Sequence, residues 1–208
     1  MRLVRRLLAT GMLLAAATTP ASAYVTLLGD CNSVAMTVTA TSPNDLGFEN
    51  LWKYTLSGSW DVGQRALSHM DILLMLGDCD VICLSGIFQF PSPAGQCTGS
   101  YSGSACVVQY TGAYLCTGDP SIPPNLREPT VKFEPLGGQT CAPGTAGSGT
   151  WCFYSFLPPG PWTTHEDVIV IKHGNTACTG NVVGQLPVCQ PPSAVGEASW
   201  GAVKALFR

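Results

Sequence analysis

The sequence predicts an all-β fold, an antiparallel β-sandwich of Ig-like or jelly-roll-like type, stapled by disulfides and followed by a short C-terminal helix. Three observations point there. Short apolar runs rich in Val, Ile, Thr, Tyr and Phe recur along the chain with almost no helical periodicity. Turn residues separate these runs, in a chain that carries 23 Gly and 16 Pro. Ten cysteines are spread from Cys31 to Cys189, the pattern of a disulfide framework.

Taken in order, the first expected strand is 34–40, closed by the turn Ser42-Pro43-Asn44-Asp45. Runs 51–57, 67–75 and 81–90 follow, the last ending at Ser92-Pro93-Ala94-Gly95. Runs 105–110 and 113–116 lead to Gly118-Asp119-Pro120, and the polar stretch 120–129 reads as a crossover loop between sheets. Strand 130–133 comes next, then 150–157, stopped by Pro158-Pro159-Gly160-Pro161. Strands 167–172 and 181–186 close the list, with Gly174-Asn175 as a turn between them. Many short strands at this spacing favour a sandwich or a related barrel.

The N-terminus has the form of an export signal. Arg2, Arg5 and Arg6 give a positive start, residues 7–17 an apolar core, and Ala21-Ser22-Ala23 a small-residue cleavage site. Residues 1–23 are therefore expected to be removed, leaving residues 24–190 as one disulfide-rich domain and 191–208 as a linker with a short helix or tag. The apolar core is too short to cross a membrane, which needs roughly 20 residues. The expected location is secreted, extracellular or periplasmic, with attachment to the cell surface as a further form.

Composition narrows the function classes. Only 11% of the residues are charged, against about 25% in ordinary soluble domains, so Ser, Thr, Gly, Asn and Gln must build much of the surface. Cleavage leaves 7 basic and 13 acidic residues, a net charge of −6. That balance argues against nucleic acid and against an anionic membrane as partners.

An oxidising compartment favours disulfides over metal ligation, and no Cys-x-x-Cys pair occurs. Cys141 and Cys152 have ten residues between them, as do Cys178 and Cys189, and each pair is expected to clamp a hairpin. Cys79 and Cys83, four apart on one strand, would stand about 13 Å from each other, beyond the roughly 7 Å that a disulfide spans. They are expected to reach other strands. Cys31, Cys97, Cys106 and Cys116 have no partner assigned by spacing.

Catalytic signals are sparse. Ser68-His69-Met70-Asp71 holds all three residue types of a hydrolytic triad, but neighbours on a strand point to opposite faces, so Ser68 and His69 cannot work as nucleophile and base. No Gly-x-Ser-x-Gly elbow is present. His165, Glu166, Asp167 and His173 have metal-ligand chemistry, and Asp78 and Asp80 share a strand face. A hard cation such as calcium needs six or more oxygens, and all of these groups read more simply as solvated. No catalytic residue, metal or cofactor is assigned.

Aromatic residues give the best-motivated binding hypothesis, because rings stack on uncharged polar ligands such as sugars. Trp60 and Trp162 lie beside turns and are expected to be exposed, with Tyr101 and Tyr114 as further contacts. The competing reading places the rings in the core.

Trp52-Lys53-Tyr54-Thr55-Leu56, Ala66-Leu67-Ser68-His69, Ile171-Lys172-His173-Gly174 and the stretch from Gly180 through Gly184 to Cys189 resemble a β-rich domain of uncharacterised secreted and surface proteins of bacteria. The resemblance covers roughly residues 50–189 and implies no catalytic residues. Pro187 stands three residues after Gly184 rather than directly after it, a departure from the pattern. The ending from Ser199-Trp200-Gly201 through Lys204 to Phe207-Arg208 resembles the Ser/Thr-Trp-Gly-x-x-Lys tails of assorted secreted bacterial proteins, which implies a sorting or attachment tag. As a helix it would be capped by Ser199 and present Trp200, Val203 and Phe207 on one side.

Three function classes follow. The leading expectation is a non-enzymatic secreted or surface-displayed structural or adhesion module. A carbohydrate- or protein-binding module, with a glycan or surface protein as partner, is the alternative, and a secreted hydrolase the third. Oligomeric state is not readable from the sequence.

Overall fold

A computed structural model describes residues 26–189, apart from 64, 75, 77–82, 123, 125–126 and 161–162. For residues 26–30, 163–168, 172 and 173 it describes the backbone alone. The export signal, Asp78, Cys79, Asp80, Trp162 and the 191–208 tail with its expected helix lie outside the described residues.

The described chain is all-β. Its strands are β1 (Thr26–Asp30), β2 (Ser33–Thr41), β3 (Trp52–Asp61), β4 (His69–Leu73), β5 (Phe88–Gln89) and β6 (Gly95–Tyr101), then β7 (Ser104–Leu115), β8 (Thr130–Pro135), β9 (Ala142–Pro143), β10 (Ala146–Ser155), β11 (Thr163–His173) and β12 (Thr176–Gly184). Among the described residues no helix is long and apolar enough to cross a membrane.

The sheet closes on itself, which corrects the sandwich expectation to a barrel. Nine strands form the ring β10-β3-β2-β12-β11-β4-β8-β7-β6, and β6 returns to β10 through Cys97 opposite Gly149, Gln96 opposite Thr150 and Gly95 opposite Trp151. A ring with an odd number of strands cannot alternate direction all the way round, so one neighbouring pair must run parallel. That pair is β2 with β12, the first and last strands of the ring, in register at Met36 with Val182. Alternation of apolar and polar residues is the same in a sandwich and in a barrel, so the strand pattern does not separate them.

Expected strands 105–110 and 113–116 are one strand, β7, and expected strand 81–90 is reduced to the two residues of β5 within its described part. β1, β6 and β9 carry too few β-branched or aromatic residues to stand out in the sequence. β6 is held to β7 by a two-residue hairpin in which Ser102 and Gly103 have φ of 47° and 81°, the backbone of a type I′ turn.

Inward-facing residues fill the barrel. Met36 and Val38 from β2, Tyr54, Leu56 and Trp60 from β3, and Met70 and Ile72 from β4 meet Tyr110, Phe133, Trp151, Phe153, Ile169 and Ile171, all at most 2% exposed. On the opposite side of the wall, β2, β3, β6 and β10 present Thr37, Thr39, Ser59, Thr98, Ser148 and Thr150 to solvent. The scarcity of charge is thus met by hydroxyls on the outer face.

The disulfide pattern differs from the hairpin clamps expected from spacing. Cys31 pairs with Cys178, Cys83 with Cys116 and Cys106 with Cys141, and Cys189 is disulfide-bonded as well. Cys141–Cys152 and Cys178–Cys189 do not form. Cys97 and Cys152 are free thiols. Cys97 shares the inward face with its register partner Gly149, whereas Cys152, between inward Trp151 and Phe153, points outward. A strand alternates its faces residue by residue, so these two thiols stand on opposite sides of the wall.

Candidate functional site

The outer face of β4 and β8 carries a buried polar cluster. Met70, Ile72, Val131 and Phe133 point inward, so His69, Asp71, Lys132 and Glu134 point outward, with Asp71 directly opposite Lys132. His69 and Asp71 are nevertheless buried, as is Asp119, which the connection from β7 to β8 brings against them, whereas Lys132 is part-buried and Glu134 is exposed. His69, Asp71 and Asp119 are 4%, 0% and 1% exposed.

The connecting segment has its own local order. Gly118 takes a φ of 78° and donates to the Leu115 carbonyl at 3.0 Å. Asp119 Oδ1 accepts the Ser121 N–H at 2.6 Å, an Asx turn. Arg127 donates from Nε to the Ile122 carbonyl at 2.7 Å and from its terminal nitrogen to the Pro120 carbonyl at 2.8 Å. Ile122 is buried, and the Cys83–Cys116 disulfide ties down the start of the segment.

Within the cluster His69 Nε2 lies 3.4 Å from Asp71 Oδ2 and 3.5 Å from Asp119 Oδ2. Its other ring nitrogen, Nδ1, faces Glu134 Oε1 at 3.9 Å. Lys132 Nζ is 2.7 Å from both Asp119 Oδ2 and Glu134 Oε1. His69 Nε2 and both carboxylate oxygens of Asp71 make no well-aligned hydrogen bond, an unusual condition for groups so deeply buried.

Burial acts on Asp71, Asp119 and Lys132, and its balance against their partners sets each net direction. Asp71 is held above its ordinary range by loss of solvent, against the opposing pull of His69. For Asp119 burial pushes the same way, but the Lys132 ammonium and the Ser121 hydrogen bonds outweigh it and hold the carboxyl at about 2. Lys132 is disfavoured as a cation by burial and restored above its ordinary value by Asp119 and Glu134. The arrangement offers one imidazole nitrogen and two carboxylate oxygens to a common point, the donor set of a divalent cation. Those three groups are the ones among the described residues that could hold a metal.

This grouping was only partly open to sequence reasoning. His69 and Asp71, two apart on a strand, share a face by the same alternation that separates His69 from Ser68, and Ser68 is exposed while His69 is buried. Asp119 reads as a turn residue in Gly118-Asp119-Pro120, and only the chain's return across β4 places it here.

Of the aromatic candidates, Trp60 is corrected. It is 2% exposed and packs inside the barrel against Trp151. Its phase follows Tyr54 and Leu56 along β3, which runs to Asp61 instead of ending at 57. Space for the indole comes from Gly147 on the partner strand, where a Cβ would stand 2.7 Å from Trp60 Cζ2. Tyr114 is half-buried against Phe88, ring centroids 4.2 Å apart, and burial pushes its phenol up to about 12. Tyr101 is 56% exposed. Trp162 lies outside the described residues. His165, Glu166, Asp167 and His173 fall on β11, where the backbone alone is described.

A shallow groove of about 480 Å³ crosses the outer wall, lined by Ser59, Gln96, Thr98, Ser148 and Thr150 around Gly58 and Gly149. None of the described aromatic candidates, Trp60, Tyr101 and Tyr114, lines it. Compared with protein-family models, curated proteins and solved structures, the chain matches none.

Proposed function

We propose that this chain is an exported structural or adhesion module, displayed or released outside the cytosol and not an enzyme. The observation that carries this reading is the filled interior. Interlocked Trp, Tyr and Phe side chains occupy the barrel where a ligand-carrying barrel would keep a chamber, and disulfides brace its wall. Disulfides of this kind persist in oxidising compartments, which supports an extracellular or periplasmic location. The export signal and the Ser-Trp-Gly tail add to the reading from sequence.

The test uses the full chain expressed in an exporting bacterium, followed by fractionation, labelling with a membrane-impermeant reagent and intact-mass analysis. Loss of residues 1–23 with recovery in the medium or on the surface is the expected result. An uncleaved, reduced protein in the cytosol would overturn it.

A glycan-binding role is the second reading, favoured by the uncharged groove and its rim of hydroxyls. Sugars retained on a glycan array by the folded protein, and released by Gln96→Ala with Thr98→Ala, would promote it above the first.

A further inference from the structure

We infer that His69, Asp71 and Asp119 form a zinc-type divalent cation site on the outer wall of the barrel, with Asp119 supplied by the connection from β7 to β8. The site is independent of the proposed structural role.

The donor set and two of its three spacings favour a zinc-type cation. Zinc bonds of about 2.0–2.1 Å at a tetrahedral angle put neighbouring donor atoms about 3.4 Å apart. His69 Nε2 stands 3.4 Å from Asp71 Oδ2 and 3.5 Å from Asp119 Oδ2. An octahedral magnesium shell would bring donors to about 3.0 Å, and calcium would require six or more oxygens with no place for a nitrogen. The two carboxylate oxygens lie within 4.8 Å of each other, so a small rotation of either side chain completes the triangle, leaving a fourth position for water.

Two observations beyond proximity point to a ligand. First, His69 Nε2 and Asp71 Oδ1 and Oδ2 are buried without a well-aligned hydrogen bond, although the two side chains face each other at 3.4 Å, and a cation between them would satisfy both. Second, Glu134 faces the far ring nitrogen of His69 at 3.9 Å. Metal-bound histidines regularly give that second N–H to a carboxylate; at 3.9 Å the hydrogen bond is not made here, and a small shift of Glu134 would let it fix the tautomer that leaves Nε2 open. Lys132 supplies a competing positive charge at 2.7 Å from Asp119 Oδ2. A carboxylate oxygen has two lone pairs, so Lys132 can keep one while the metal takes the other.

The experiment uses the exported full chain carrying Cys152→Ser, which removes the outward thiol as a rival ligand. After chelator treatment and desalting, equilibrium dialysis against zinc alone is expected to load one ion per chain at micromolar free zinc and to raise Tm by mass action. Asp71→Asn and His69→Gln are each expected to abolish loading, and Glu134→Gln to weaken it by about 10–100-fold. Metal-free Tm of the variants separates lost binding from lost folding. X-ray absorption of the loaded protein, which needs no substitution at the site, is expected to show one imidazole with oxygen neighbours. No saturable uptake, sulfur in the zinc shell, or unchanged loading in folded Asp71→Asn or His69→Gln would overturn the site.

Discussion

The indoles of Trp60 and Trp151 meet inside the barrel with ring centroids 5.9 Å apart and planes tilted by 59°. They come from antiparallel strands, and glycines on the facing strands make room for both. A Cβ at Gly147 would stand 2.7 Å from Trp60, and one at Gly95 would stand 2.2 Å from Trp151 Cδ1. Tyr110 completes the group edge-on to Trp151 at 5.7 Å.

Trp60→Ala is therefore expected to destabilise the protein by about 3–5 kcal/mol, the usual range for deleting a large buried ring. Trp60→Phe should lose less, because the Trp60 Nε1–H is buried without a partner and its removal relieves that burden. Gly147→Ala crowds the same ring and is expected to lose about 1–3 kcal/mol. Chemical denaturation of the three variants checks the order. A Trp60→Ala protein as stable as the parent would mean that the ring is not in the core.

Thiol chemistry gives a second test. Alkylation of the protein unfolded without reductant should modify Cys97 and Cys152 and spare Cys31, Cys83, Cys106, Cys116, Cys141, Cys178 and Cys189. In the native protein Cys152 should react before Cys97, which is 3% exposed and donates its S–H to the Tyr110 hydroxyl at 3.4 Å. Peptide mapping reads both results. Finding Cys152 joined to Cys141 would restore the hairpin clamp and contradict the barrel's pairing.

The disulfides are not equivalent. Cys31–Cys178 spans 147 residues and Cys106–Cys141 spans 35. Paired Cys→Ser replacement at either is expected to destabilise by about 2–5 kcal/mol, and the chain-entropy account makes the longer closure more stabilising by about 1.3 kcal/mol. Urea titration of the two variants measures the difference. A larger loss at Cys106–Cys141 would assign the effect to local packing instead.

A pH test falls on the 42–51 loop, where Asp45 Oδ2 binds Lys53 Nζ at 2.8 Å and accepts the Tyr154 hydroxyl at 2.6 Å. Phe48 stacks on the Tyr154 ring, centroids 3.9 Å apart. The Lys53 hydrogen bond, then the Tyr154 hydroxyl, hold the Asp45 carboxyl below its ordinary value of 3.8. A depressed folded value means that the unfolded chain takes up the proton first as pH falls. Wild type should thus exceed Asp45→Asn in Tm by a constant margin above the ordinary value, and the margin should shrink as pH drops below it. A margin that persists unchanged into acid would show that ionisation plays no part.

Some of this molecule was settled by its sequence. Alternating apolar residues and turn punctuation required an all-β chain, and the period-two pattern of 34–40 and 51–57 already carried the inward sets of β2 and β3. The hairpin at Gly174-Asn175 was legible because few sequences make so tight a reversal, and Gly174 indeed adopts a φ of 66°. The same alternation put His69 and Asp71 on one face. Tertiary structure alone decided the rest, since closure, pairing and burial depend on strands distant in the chain. The β6–β10 contact turns a sheet into a barrel, the parallel β2–β12 pair follows from its odd strand number, and cysteine partners follow from which strands become neighbours. Asp119 joins His69 and Asp71 only because the β7–β8 connection folds back over the wall, a long-range path that no local preference encodes.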